Sequence, residues 1–193
     1  MRPRPILLAA LAAGALPAAG CGDSRPPVPT GPVAPSAKTA RHEFPRAGMS
    51  LRLPANLQLE RQARLPAVFR AGLVEPFVSA FAYRRAEQVP RNTRELEAAR
   101  RRLVRVTQGR DRGYRLLRSR PTEVDGARAV ELLGEQTLGR TRLRIRSLHV
   151  YRGRAEYVIE VGAPRAEFAR FDRGVTPVIE RTVDLSGRVA ARN

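Results

Sequence analysis

Apolar residues return at every second position over several stretches of this chain, and at three- and four-residue steps over two others. Met49, Leu51 and Leu53 alternate with Ser50 and Arg52, marking an early strand that Pro54 ends. Further strands are predicted over 57–61, 67–73 and 77–84. In the last, Phe77, Ser79, Phe81 and Tyr83 share one face, opposite Val78, Ala80 and Ala82. Ala155, Tyr157, Ile159 and Val161 alternate with polar positions that include Glu156 and Glu160. Leu96, Ala99, Leu103 and Val106 recur at helical spacing behind Asn92 and Glu95, a capping-box pair opening a helix that runs to about Gln108. After Pro164 a second stripe, Phe168, Phe171, Val175, Val178, Ile179 and Thr182, is interrupted by Gly174 and Pro177. There Thr176-Pro177 is expected to restart the helix after a kink.

Between the helices lies a meander. Tyr114–Arg118 reads as a strand, Val124-Asp125-Gly126 as a turn, and Ala127–Leu138 as the next strand. Arg140, Arg142, Arg144 and Arg146 then alternate with Thr141, Leu143 and Ile145. With Leu138-Gly139 as the turn, Thr137 pairs with Arg140, Glu135 falls opposite Arg142 and Glu131 opposite Arg146. Opposite charges across strands contribute only ~0.2–1 kcal/mol per pair, but like charges facing one another disfavour the sheet. The arginine stripe is therefore read as a paired sheet face rather than a polyanion groove. The apolar phase changes at Ser147, where Leu148 and Val150 take over; this predicts a β-bulge or a strand whose two ends face different layers. Tyr151-Arg152-Gly153-Arg154 turns the chain into the last strand. The whole is an α+β domain, an antiparallel meander flanked by about two helices.

The first twenty residues have a different pattern. Arg2 and Arg4 precede an apolar run from Ile6 to Ala13, broken by Gly14 and Pro17, and small residues lead to Cys21, the chain's only cysteine. The run is shorter than the roughly 20 residues a bilayer span needs, so residues 1–20 read as an export signal rather than an anchor. Ala18-Ala19-Gly20-Cys21 resembles the lipobox of bacterial lipoproteins, with Ala18 where that family usually has Leu. The resemblance implies acylation of Cys21 and at least a diacylglycerol, and two or more chains hold a protein stably on a membrane. Residues 21–40, with five prolines among Gly, Ser, Thr and Ala, read as the lipidated cysteine and an extended tether. Residues 41–193 suit a single domain.

The chain has a net charge of +18 with Lys38 its only lysine, and loss of the leader removes two arginines and no acid. Such a balance would point to nucleic acid in the cytosol. In an exported protein the polyanions at hand are lipid head groups and wall polymers, and a basic domain held near anionic lipid is drawn to it. Arg101, Arg102 and Arg105 on the first helix are the candidate contacts with an anionic surface; nucleic acid is not expected.

The order of these pieces is similar to the Lpq-type lipoproteins of actinobacteria and to the PsbP-like fold. The features that carry the likeness are Gly48-Met49-Ser50-Leu51-Arg52-Leu53-Pro54, the Leu96–Val106 helix and Gly113-Tyr114-Arg115-Leu116-Leu117. Val124-Asp125-Gly126 before the meander and Glu167-Phe168 through Ile179 complete them. The resemblance implies a sheet flanked by helices and a non-catalytic accessory role, and it supplies no catalytic residues.

Residue chemistry points the same way. His42 and His149 stand far apart and in no metal-ligand spacing, and no Gly-x-Ser-x-Gly, His-Glu-x-x-His or phosphate-cradling loop is present. Glu123 and Asp125 flank a turn, where acids are usually structural. No cofactor, metal or catalytic residue is expected. The expected protein is a lipid-anchored, non-enzymatic binding or accessory protein of the cell envelope. It sits on the outer face of the cell membrane, or on the outer membrane of a host with two. An adaptor docking a membrane protein complex and an envelope hydrolase are the alternatives, and anionic lipid, an envelope lipid or an envelope complex are the partners in view. A ligand between sheet and helix would have Phe77, Phe81, Phe168 and Phe171 as candidate wall residues; the rival reading is that they fill the core.

Overall fold

The structure is a computed structural model and describes residues 34–72, 75–87, 89–139 and 141–190. Cys21, the expected leader and the tether up to residue 33 lie outside the described residues. In chain order the elements are β1 (Thr39–Phe44), β2 (Met49–Pro54), β3 (Leu59–Arg61), β4 (Ala67–Gly72), β5 (Phe77–Arg84) and α1 (Thr93–Arg110). Then come β6 (Arg115–Val124), β7 (Ala127–Leu138), β8 (Thr141–Arg152), β9 (Ala155–Pro164), α2 (Arg165–Thr182) and β10 (Asp184–Leu185). A seven-stranded antiparallel sheet has the order β3-β4-β5-β9-β8-β7-β6, and a small sheet has the order β1-β2-β10. This is the α+β arrangement that the periodicities predict.

The alternation in β5 and β9 divides the large sheet into two faces. Val78, Ala80, Ala82, Tyr157, Ile159 and Val161 point to one side, where Leu51 and Leu53 of β2 and Phe168, Phe171, Val175 and Ile179 of α2 complete the main core. Tyr157 and Ile159 are wholly buried. The second face carries a smaller cluster under α1: Leu96, Ala99, Val130, Leu132 and Tyr151.

Several expectations change in detail. The tether was expected to reach residue 40, but Asn56 already binds Ala34 O and Ser36 N, and β1 begins at Thr39. The fold therefore takes in residues that their prolines and small side chains had marked as spacer. β6 runs on through Pro121 to Val124; it is an edge strand, where a missing N–H costs no ladder bond. The β6–β7 loop is Asp125-Gly126, both at positive φ (51° and 65°), the backbone a two-residue hairpin loop demands. The next hairpin places Gly139 (φ 59°) inside its loop, so Leu138 pairs with Thr141. Glu135 therefore faces Arg144 instead of Arg142, and Glu131 faces Leu148 instead of Arg146. The shift is an even number of positions, so the charges stay on the expected face.

No bulge marks Ser147. The pairing of β8 with both neighbours is continuous there, and Arg144, Arg146, Leu148 and Val150 share one face. The strand's two ends do meet different surroundings: apolar core at Leu148 and Val150, a charged layer at Arg144 and Arg146. Nor does α2 break at Gly174 or Pro177; it is one helix of 18 residues. Phe171, Val175 and Ile179 are buried on both sides of Pro177, and that common contact holds the two halves in one register.

The charged layer is the most demanding feature of the fold. Glu131 is 1% exposed and receives Arg118 Nη2 at 2.9 Å, Arg120 Nη2 at 3.0 Å and Arg146 Nη1 at 2.6 Å. The remaining edge of Arg146 grips Asp172 of α2 through Nε and Nη2, at 2.8 and 2.7 Å. Glu135 receives Arg115 and Arg144, both at 2.7 Å, with Arg165 of α2 at 3.5 Å. Burial alone would raise the Glu131 carboxyl, but hydrogen bonds from Arg120 and Arg118 and the charge of Arg146 outweigh it and hold it below the ordinary range. Hydrogen bonds from Arg144 and Arg115 hold Glu135 at about 2. Removing one partner from a buried pair is severe because an uncompensated charge remains. Arg146→Ala should therefore lower unfolding stability by about 3 kcal/mol in urea titrations. The exposed neighbour on the same strand, Arg142→Ala, should change it by less than about 0.5 kcal/mol.

Candidate functional site: a cleft beside the first helix

α1 is capped by Asn92, whose Oδ1 accepts from Glu95 N at 2.9 Å, and Glu95 Oε2 reaches back to accept from Arg91 N at 2.7 Å. The helix then packs chiefly on β6 and β7. Only Leu96 and Ala99 of its stripe are buried; Leu103 is half-buried and Val106, expected in the core, is 43% exposed.

Across the uncovered strands the register sets side chains in rows: Ser79–Glu160–Ser147, then Phe81–Val158–His149, then Tyr83–Glu156–Tyr151. Between these rows and the C-terminal half of α1 lies a cleft of about 590 Å³. Phe81, Val158, Ile145, Leu103 and Val106 give it apolar walls, and Arg102, Arg110 and Glu87 stand exposed at its margin. Tyr114 also lines it, packed over Gly134 so closely that a Cβ there would lie 2.2 Å from the phenol ring.

Three ionisable groups of the cleft are shifted away from their charged forms. Burial, aided by the charge of Arg85, lowers His149 to about 4. Its Nδ1 lies 2.8 Å from Glu156 Oε1, and Arg85 contacts the other oxygen of that carboxylate. The neutral ring therefore donates from Nδ1 and keeps Nε2 as an acceptor. Burial raises Glu160, although Ser79 Oγ and Ser147 Oγ donate to it at 3.2 and 3.4 Å and Arg70 acts in the opposite sense. Burial and the neighbouring Glu160 push Tyr114 up to about 12. The cleft thus combines apolar walls with an imidazole acceptor, a carboxyl that resists ionisation and a phenol that keeps its proton. Both hydroxyls of the Ser79–Glu160–Ser147 row are directed to Glu160 and not to His149.

The structure separates the four phenylalanines expected to share a pocket. Phe81 lines the cleft; Phe77 lies on the same face, beneath the Arg70 guanidinium at 4.2 Å. Phe168 and Phe171 are core residues on the opposite face, because the stripe they belong to packs on β2, β8 and β9. Arg102 reaches the cleft margin and pairs with Glu87 at 3.2 Å; Arg101 pairs with Glu97 at 3.5 Å, and Arg105 is exposed on the same helix. Asp125 is structural, accepting from Arg152 Nη1 at 2.8 Å and from Leu185 N at 3.0 Å. Sequence reasoning left Glu156, Glu160 and Tyr114 out of the site. The signal for the two acids was there, since both stand on the polar side of a strand otherwise bound for the core. Among the described residues no cluster of three or more His, Cys, Asp or Glu side chains is arranged to hold a metal ion, and no helix is long and apolar enough to cross a membrane.

No protein family and no curated protein matches this sequence. Solved structures do match. The cyanobacterial PsbP protein CyanoP from Synechocystis sp. PCC 6803 aligns with a TM-score of 0.53 at 9% identity, over 82% of this chain and 96% of its own. The fold is PsbP-like. LpqN of Mycobacterium tuberculosis, described as involved in cell envelope biogenesis, aligns with a TM-score of 0.53 at 14% identity, over 76% of this chain and 84% of its own. A protein from Bacteroides thetaiotaomicron aligns at 0.51 and 10% identity, over 77% of this chain and 49% of its own. At these identities the likeness concerns the PsbP-like fold alone.

The buried, neutral His149 ties stability to pH. Its folded value lies below the ordinary 6.5, so the unfolded chain takes up the proton first and stability falls as pH drops from 6.5 towards 4. Between pH 7 and about pH 4.5 the native protein should lose about 2 kcal/mol more than a His149→Gln variant, measured by urea unfolding at both pH values.

Proposed function

We propose that this protein is a lipid-anchored, non-enzymatic component of the bacterial cell envelope that binds a small amphipathic ligand in the α1 cleft. The observation that carries this is the cleft itself. Half of a sheet face is left uncovered, with apolar walls around a few convergent polar groups, the composition of ligand sites in general. His149 and Tyr114 in their neutral forms, beside a Glu160 carboxyl that burial raises, favour hydroxyl, carbonyl or amide groups on the ligand over a second buried charge. The non-enzymatic reading is supported by the serines. Both serine hydroxyls are engaged with Glu160, so neither is directed to His149 as a nucleophile is to its base. The envelope setting is supported by Cys21 behind its small residues and by the structural likeness to LpqN.

The test is native mass spectrometry of the protein purified gently from the envelope of its host. The expected result is a discrete extra mass that denaturation releases and that is lost in Val158→Trp, whose indole would fill the floor of the cleft. A bare mass from the unaltered protein would remove the ligand-carrier reading and return the search to protein partners.

A further inference from the structure

The chain enters the domain on the α2 side of the sheet. Asn56 Nδ2 donates to Ala34 O and Ser36 N donates to Asn56 Oδ1, each at 2.8 Å. The Pro35 ring packs on Gly174 of α2 so closely that a Cβ there would meet it at 2.9 Å. A dozen residues separate Ala34 from Cys21, about 40 Å when fully extended. A chain anchored at Cys21 is thus tied to its membrane from beside α2.

That side also bears a concentrated positive surface. Arg170, Arg173 and Arg181 are exposed on the outward side of α2, away from the stripe of Phe168, Phe171, Val175 and Ile179. Next to the helix lies a shelf of sheet that it leaves uncovered, where Arg115, Arg118 and Arg120 are 62, 49 and 53% exposed. Around the shelf six guanidiniums meet Glu131, Glu135, Asp172 and the exposed Glu180 of α2, so two positive charges remain after every acid is paired. A guanidinium bound along one edge keeps further N–H donors for another anion.

We infer that the outer face of α2 and the adjoining arginine shelf dock on an anionic phospholipid bilayer. The charges spread over a helix and a sheet edge instead of converging on a pocket, which matches a field of head groups better than one bound anion. Each basic residue held at such a surface strengthens binding by about fivefold. The cleft lies on the opposite face of the sheet, so docking leaves it open away from the membrane. The docking does not depend on what the cleft binds.

The test uses residues 21–193 carrying Cys21→Ser, which keep every described element and carry no lipid. They are sedimented with vesicles of phosphatidylcholine alone and of phosphatidylcholine mixed equally with phosphatidylglycerol. Binding is expected only to the mixed vesicles and should weaken as salt rises. Arg170→Glu with Arg173→Glu, which touch none of the buried pairs, should reduce it at least about tenfold. Arg101→Glu with Arg105→Glu on α1 makes the same change in net charge and should alter it by less than about twofold. Thermal unfolding of both variants checks that each is folded. Absence of binding to the mixed vesicles at low salt overturns the inference. So does an equal loss in the two double variants, or binding to an anionic wall polymer in place of the vesicles.

Discussion

One guanidinium links the three elements around which the open half of the sheet is organised. Arg146 reaches Glu131 on β7 with one nitrogen and holds Asp172 on α2 with two others, while its own strand runs between β7 and β9. Each of these charges would be costly alone at such depth, and each is acceptable only because the others are in place. Such a cluster adds less to stability than its short distances suggest, since desolvation offsets much of the attraction. What it does set is position: α2 has one way to lie across β8 that satisfies Asp172, and Arg165 then falls within reach of Glu135.

Once α2 is set, the faces of the sheet have unequal cover. α2 and the small sheet take nearly all the large apolar side chains, and the main core forms there. α1 has much less to offer the other face. Six of its 18 residues are arginine, and Leu96 and Ala99 are its buried residues. A helix with so narrow an apolar stripe covers about two strands, and it settles over β6 and β7. The cleft is what remains: β5, β9 and the part of β8 around Ile145, Ser147 and His149, beside the C-terminal half of α1. The polar groups there, Glu156, Glu160, Ser79 and Ser147, fit that position, because none would be tolerated under a fully packed helix without partners.

The strands and helices were legible because burial on one side writes a period into the sequence. β5 and β9 are clear examples, with Phe77-Ser79-Phe81-Tyr83 and Ala155-Tyr157-Ile159-Val161 falling on the faces their alternation predicts. β1 and β10 left no such trace: one is mostly polar and the other has two residues. The hairpin register at Gly139 missed by one loop position, since a glycine can stand on either side of a turn and only the backbone decides which. Pro177 misled for a different reason. A local rule predicted a break, and a tertiary contact, the stripe from Phe171 to Ile179, overrode it. The cleft was the least legible feature. It depends on where α1 stops covering the sheet, which no single segment encodes, and so Phe168 and Phe171 were grouped with Phe77 and Phe81 although the sheet lies between them.

The fate of the acids connects the charge of the chain to its architecture. Glu131, Glu135 and Glu156 are buried, and Asp172 is largely enclosed against Arg146. Each neutralises arginines from within the fold, leaving the outer guanidiniums less opposed at the surface than composition implies. Apart from the Glu156–Arg85 pair, the cleft follows a different rule. His149 is held uncharged, and Glu160 and Tyr114 are pushed towards their protonated forms. Long-range attraction therefore belongs to the α2 side, where charge is exposed and sensitive to salt. In the proposed reading, selection in the cleft rests instead on hydrogen bonds and shape, which salt hardly affects. With attraction and selection on opposite faces of one sheet, a highly basic protein can bind an uncharged ligand group without its charge deciding which ligand enters.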